Sequence, residues 1–311
     1  VPVLRRTLLS AAGSERLRDV VEKVPVSRAV VARYDPGRSA QDAVAAARRL
    51  VDDGLLVSLD HLGEDTVERA QAESVRDAYL HVLRRLGDGG LAGSVEVSLK
   101  LSAVGQSLGS DGEKVALEHA REVCALAAEL GTTVTLDMED HTTTDSTLSV
   151  LGELRVDFPD VGAVLQSYLR RTEGDCRDLA SAGSRVRLCK GAYQEPGSVA
   201  YQDRGEVDRS YVRCLKVLMA GQGYPMVATH DPRLVEIAGA LAVRHGRAQG
   251  DYEYQMLYGI RPDEQRRLAA AGDLVRVYTP YGDEWWGYLV RRLAERPANL
   301  AFFLRAVATK G

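Results

Sequence analysis

The chain has 311 residues, 45% of them hydrophobic, which suffices for the core of one large α/β domain. Its 40 Lys and Arg residues against 44 Asp and Glu give a formal charge of -4, so no basic surplus marks a partner made of nucleic acid. Cys124, Cys176, Cys189 and Cys214 form no CxxC pair, no apolar run reaches the ~18–20 residues that cross a bilayer, and no signal-peptide core with a cleavage site opens the chain; together these exclude a disulfide framework and a structural zinc site and lead to the expectation of a cytoplasmic protein.

Residues 1–54 read as a helical lead-in. Within Gln41–Asp53, Val44, Ala47, Leu50 and Val51 recur at helical spacing, and Gly54 is a natural stop. The apolar run at 28–34 has no decisive period. From Leu55 a rhythm begins, with β-rich runs at Leu55–Leu59, Ser94–Leu99, Thr133–Leu136, Val161–Leu165, Arg185–Leu188, Pro225–Ala228, Tyr252–Leu257 and Leu274–Val277. Longer helical patterns separate them. Val67, Ala70, Val75, Ala78, Val82 and Leu86 form one stripe; Val207, Tyr211, Leu215 and Leu218 form another. Eight strand signals alternating with helices predict one (βα)8 TIM-type barrel over 55–311, preceded by N-terminal helices. An open dinucleotide-binding sheet needs G-x-G-x-x-G after a strand, whereas Gly87, Gly89, Gly90 and Gly93 precede one and read as a loop.

The strands end on Asp60, Lys100, Asp137, Gln166, Lys190, His230, Gln255 and Tyr278. A barrel gathers such ends around one mouth, where active sites of this fold are built. In Glu96-Val97-Ser98-Leu99-Lys100 the polar residues share a face, so Lys100 points into the barrel and requires a carboxylate partner. Asp137 on the next strand is the expected partner, as a structural pair or as part of a site. Arg187 and Lys190 are three apart, so either strand five breaks near Lys190 or only one of them enters the site. With Gly191 they suggest an anionic group such as phosphate. Cys189 has no evident activating partner and reads as a buried structural thiol. After Tyr278, residues Pro280-Tyr281-Gly282-Asp283 read as a turn into a helix over Glu284–Arg296, where Tyr288, Arg291 and Arg292 share a face suited to a small carboxylate. Trp285 and Trp286 read as packing for that helix. The histidines form neither HxH nor HExxH, so no metal site is expected.

SLKLS (Ser98–Ser102), LDMED (Leu136–Asp140), LQSYLRR (Leu165–Arg171), RLCKGAY (Arg187–Tyr193), ATHD (Ala228–Asp231) and YGDEWWGYLVRR (Tyr281–Arg292) resemble, in order, the motifs of FAD-dependent proline dehydrogenases. The match runs from about Leu55 to Phe302, and an end at Gly311 resembles the monofunctional bacterial type. The resemblance implies oxidation of L-proline to Δ1-pyrroline-5-carboxylate, by hydride transfer to FAD. It implies that Lys100, Arg291 and Arg292 hold the substrate carboxylate, with Asp137 and Tyr278 beside the ring and Leu257 and Tyr288 closing over it. Arg187 is implied to act in catalysis beside the flavin and to favour its anionic reduced form. Met138, Gln166, Lys190, Gly191, Ala192, Thr229, His230 and Gln255 match flavin-contacting positions, and Glu64 matches a carboxylate that gates the site through Arg291. Gln194 departs from the tryptophan of many relatives, which affects the adenine side.

The implied acceptor is a membrane quinone, which requires peripheral contact with the membrane; Phe302, Phe303 and Leu304 form a short apolar patch that reads either as such a contact or as core. A separate pyrroline-5-carboxylate dehydrogenase is the implied downstream partner. The rival reading is a class I aldolase or lyase using Lys100 or Lys190 as a Schiff base. A non-enzymatic ligand-binding barrel is a second alternative.

Overall fold

The computed structural model describes Tyr34, residues 36–286 and Tyr288. Eight parallel strands close in sequence order: β1 (Leu56–His61), β2 (Val95–Lys100), β3 (Val134–Asp137), β4 (Gly162–Gln166), β5 (Arg185–Cys189), β6 (Tyr224–Ala228), β7 (Glu253–Leu257) and β8 (Val275–Tyr281). Helix α1 (Ala40–Asp52) precedes β1. The helices α2 (Arg69–Asp88), α3 (Gly112–Glu129), α4 (Thr144–Asp157), α5 (Thr172–Asp178), α6 (Arg204–Ala220), α7 (Pro232–Arg244) and α8 (Pro262–Ala270) follow β1 to β7 in turn.

The predicted α/β barrel is therefore present, and each predicted strand is found within a residue of its expected start. Helix α1 starts where Ser39 and Asp42 form a reciprocal capping box, each side chain accepting the other's backbone N–H at 3.1 Å. It buries Ala43 and Ala47 in the same cluster as Val57 and Leu59 of β1. Gly54, at φ +80°, lets the chain turn into β1. In α2 the buried face is Ala72, Val75, Tyr79, Val82, Leu83 and Leu86. The expected stripe began too early, because Val67 precedes the helix and is 72% exposed, and Ala70 lies on the solvent side.

Most strands carry apolar residues outward and polar residues inward, with Met226 of β6 an apolar exception whose sulfur lies 3.6 Å from Arg185. Val57, Leu59, Val97, Leu99 and Leu136 meet α2 and α3 on one side; Val186, Leu188, Val227, Met256 and Val277 meet α6 and α7 on the other. Burying each such side chain contributes roughly 1.5–3 kcal/mol, so the helical shell, not the lumen, is the hydrophobic core. Tyr278 does not end β8. The strand runs on to Tyr281 because β1 pairs with it through Asp60↔Pro280 and His61↔Tyr281. The turn begins only at Gly282, at φ +124°.

Candidate active site

The lumen is filled by ions in tiers. At the bottom, Arg276 grips Glu253 with two bonds of 2.7 and 3.0 Å, and Arg185 donates to Glu96 at 2.7 Å. Burial alone would raise the Glu96 carboxyl, but Arg276, Arg185 and Arg187 outweigh it and lower it to about 2. Arg187 occupies the middle. Its Nη1 donates to Asp137 Oδ1 at 2.7 Å and to Ser98 Oγ at 2.9 Å, and its Nη2 donates to Ser58 Oγ at 3.3 Å and Glu96 Oε1 at 3.2 Å. Its Nε donates to Gln255 Oε1.

At the mouth, Lys100 Nζ donates to both oxygens of Asp60, at 2.7 and 2.8 Å. The expected partner Asp137 is farther away, at 3.7 Å, and its Oδ2 accepts instead from the Tyr278 hydroxyl at 2.7 Å. Asp60, to which the sequence assigned no role, is thus the main counter-ion of Lys100. Lys100 is in register with Asp137, but both oxygens of that carboxylate already accept, Oδ1 from Arg187 and Oδ2 from Tyr278. The ammonium reaches instead to Asp60, which is paired with Ser98, two residues before Lys100. Burial raises the Asp137 carboxyl more than Arg187 and Lys100 lower it. Burial pulls the Lys100 ammonium down, but Asp60 and Asp137 more than restore it, so its affinity for the proton ends up above normal.

Strand β5 ends at Cys189, so only Arg187 enters the lumen. Lys190 pairs with Asp208 at 2.5 Å and Asp231 at 3.5 Å. Burial pushes the Cys189 thiol up to about 11, consistent with a structural thiol. Around the rim, Gln166 Nε2 donates to the Met138 carbonyl at 3.2 Å, while Gln166 Oε1 is buried with no hydrogen-bond partner among the described residues. His230 Nε2 accepts the Leu257 N–H at 2.9 Å, and the Thr229 N–H donates to the Gln255 carbonyl at 3.2 Å. Leu257 is in register with Tyr278, and Tyr288 is buried. Gly191 and Ala192 follow Lys190, and Glu64 lies half-buried after β1. Trp285 and Trp286 are buried, as packing residues should be. Arg291, Arg292, Phe302, Phe303 and Leu304 lie outside the described residues, as do 1–33. Among the described residues there is no cluster able to hold a metal ion and no helix long and apolar enough to cross a membrane.

Sequence reasoning passed over Glu139, although it stands in the LDMED run. Its carboxylate accepts the Ser102 hydroxyl at 2.6 Å and the Ser102 N–H at 3.1 Å, fixing the chain beyond Lys100. Burial raises it from the ordinary 4.5 to about 7 against the pull of those bonds. The folded state therefore holds this proton more tightly than the unfolded chain. The stability it contributes is complete below pH 4.5 and lost as pH rises through about 7. The change amounts to about 3 kcal/mol. In denaturant unfolding across that range, Glu139→Gln is expected to lack this slope; parallel curves for parent and variant would refute the assignment.

The model of the family described as proline dehydrogenase matches residues 43–305. The chain is 40% identical over 277 residues to proline dehydrogenase of Deinococcus radiodurans, covering 88% of this chain and 89% of that protein. It is 36% identical over 278 residues to proline dehydrogenase 1 of Bacillus subtilis, covering 89% and 90%. Among solved structures, proline utilization A from Bdellovibrio bacteriovorus, inactivated by N-propargylglycine, matches with a TM-score of 0.79 at 25% identity. That match covers 86% of this chain and 32% of the longer one, so the chain spans about a third of that protein.

Proposed function

The chain belongs to the proline dehydrogenase family, and on that premise we propose that it oxidises L-proline to Δ1-pyrroline-5-carboxylate on bound FAD and passes the electrons to a quinone. The observation that carries the cofactor reading is the buried Gln166 Oε1. An acceptor left without a donor in a dry site is costly, and the imide N–H of a flavin ring is a donor of the right kind. Met138, Gln166, Lys190, Gly191, Ala192, Thr229, His230 and Gln255 would hold the group. When bound, FAD supplies the hydride acceptor that no side chain can provide.

The remaining work falls to the protein. Lys100, with Arg291 and Arg292, binds the substrate carboxylate, as a zwitterion demands. Asp137 and Tyr278 line the reacting ring, Leu257 and Tyr288 exclude water, and Glu64 with Arg291 forms the gate. Arg187 acts in catalysis as a fixed positive charge below the mouth, aligned by Asp137, Ser98 and Gln255. The substrate amine must lose its proton before hydride leaves, and Asp137 Oδ2 is a basic atom at the mouth. Electron transfer to quinone requires a peripheral contact with the membrane. The product is an imine in equilibrium with an aldehyde, which a separate pyrroline-5-carboxylate dehydrogenase would oxidise.

The aldolase alternative is disfavoured by Lys100 itself. A Schiff-base lysine must reach its neutral amine, and the two aspartates hold this one charged. The test is an anaerobic absorbance spectrum of the purified chain. A visible flavin band bleached by L-proline is expected. A chain that takes up no FAD, or whose flavin ignores proline, overturns the reading.

A further inference from the structure

In the loop after β4, Ser167 and Tyr168 extend the sheet past its last strand residues. The Ser167 N–H donates to the Cys189 carbonyl at 2.8 Å, and the Tyr168 N–H donates to the Lys190 carbonyl at 2.9 Å. Gly191 follows at φ +105°, a conformation that disfavours any residue with a Cβ. A Cβ built there would fall 2.4 Å from the Tyr168 ring carbons, so ring and backbone are pressed together. The close approach that glycine permits here is to a tyrosine of the same chain.

The ring is fixed from its far end. The Tyr168 hydroxyl donates to Glu195 Oε1 at 3.2 Å. The Glu195 side chain is only 3% exposed, and its carboxylate also accepts the His141 backbone N–H at 2.9 Å and contacts His141 Nδ1. These donors offset the desolvation that a buried carboxylate suffers. Loops from three strands thus converge on one group: His141 after β3, Tyr168 after β4 and Glu195 after β5. The segment from Lys190 to Glu195 is tied to the same tyrosine twice, through its backbone at one end and its hydroxyl at the other.

We propose that Glu195, acting through Tyr168 and braced by His141, is a positioning residue that sets the backbone of Lys190–Ala192 for the flavin. The inference rests on the reading that this segment contacts FAD. It assigns the residues that hold the contact in place, which touch neither substrate nor hydride.

The test is fluorescence titration of the flavin-stripped full chain with FAD. The unmodified chain is compared with Glu195→Gln, Tyr168→Phe and the double variant, with unfolding midpoints measured on the flavin-free proteins. Each single variant is expected to weaken FAD binding about tenfold. The double variant should be no weaker than the worse single one, because both act through one contact. Should Glu195→Gln fail to fold, Tyr168→Phe decides, since it loses one hydroxyl and keeps the ring on Gly191. FAD affinity unchanged in the folded variants, or penalties that add, overturns the inference while leaving the flavin reading intact. An unmodified chain that binds no FAD overturns the flavin reading itself.

Discussion

Arg187→Met is expected to lower the unfolding free energy by about 3–5 kcal/mol, the range for removing one partner from a buried ion pair. The guanidinium is 6% exposed and serves Asp137, Glu96, Ser98, Ser58 and Gln255 together. Methionine fills similar volume but donates nothing. Glu96 keeps Arg185 and Arg276, so it survives the loss. Asp137 does not, because its next cation is Lys100 at 3.7 Å. The penalty should therefore shrink as pH falls, since Asp137 is already raised by burial and takes up a proton more readily once Arg187 is gone. Adding Asp137→Asn should recover part of the stability at neutral pH, because removing both partners is far less harmful than removing one. Denaturant curves decide. A single variant within about 1 kcal/mol of the parent, or a double variant less stable than the single, would contradict the account.

The second large effect is expected at Lys100. A charge-assisted bond to a substrate carboxylate is worth about 1.5–3 kcal/mol. Its loss in Lys100→Met should raise KM for proline about 10- to 100-fold. Asp60→Asn should do less, since the ammonium stays while one of its anchors weakens. The pair should be coupled in a double-mutant cycle, because Asp60 has its effect on proline only through the ammonium it holds. Flavin retention should be unaffected in both variants. Unchanged proline kinetics in a folded Lys100→Met chain would remove this lysine from the substrate site, and additive effects would remove Asp60 from its support.

The barrel was legible because its rhythm is written in the strands' outer faces, where runs such as Val57/Leu59 and Val97/Leu99 must meet helices. The end of β8 was not. Pro280-Tyr281-Gly282-Asp283 looks like a turn, and only pairing with a strand more than 200 residues earlier keeps Pro280 and Tyr281 extended. The lumen was half legible. Ser58/Asp60, Glu96/Ser98/Lys100, Arg185/Arg187, Glu253/Gln255 and Arg276/Tyr278 all show polar residues two apart on one face, and only the second of these sets was used. What alternation cannot supply is register and the view across the barrel. Arg187 meets Ser98 over 89 residues of chain and Ser58 over 129, and Lys100 turns to Asp60 because Arg187 and Tyr278 already hold the Asp137 with which it is in register. Glu139 was visible as a letter in a motif, but burial, not identity, makes it titrate near neutrality. The arginine pair at 291 and 292 is known from sequence only, outside the described residues.

The tiers of ions in the lumen are divided unequally along the chain. Strands β1 to β4 bring three carboxylates, Asp60, Glu96 and Asp137, against the one ammonium of Lys100. Strands β5 to β8 bring three guanidiniums, Arg185, Arg187 and Arg276, against the one carboxylate of Glu253. Each half of the barrel, folded alone, would thus enclose an excess of one sign, and each is the counter-charge of the other. Closure of the fold is then an act of neutralisation as well as of strand pairing. A chain emerging in order from the ribosome can assemble its first half only as an acidic trough, which becomes a stable interior when the arginine-bearing half arrives.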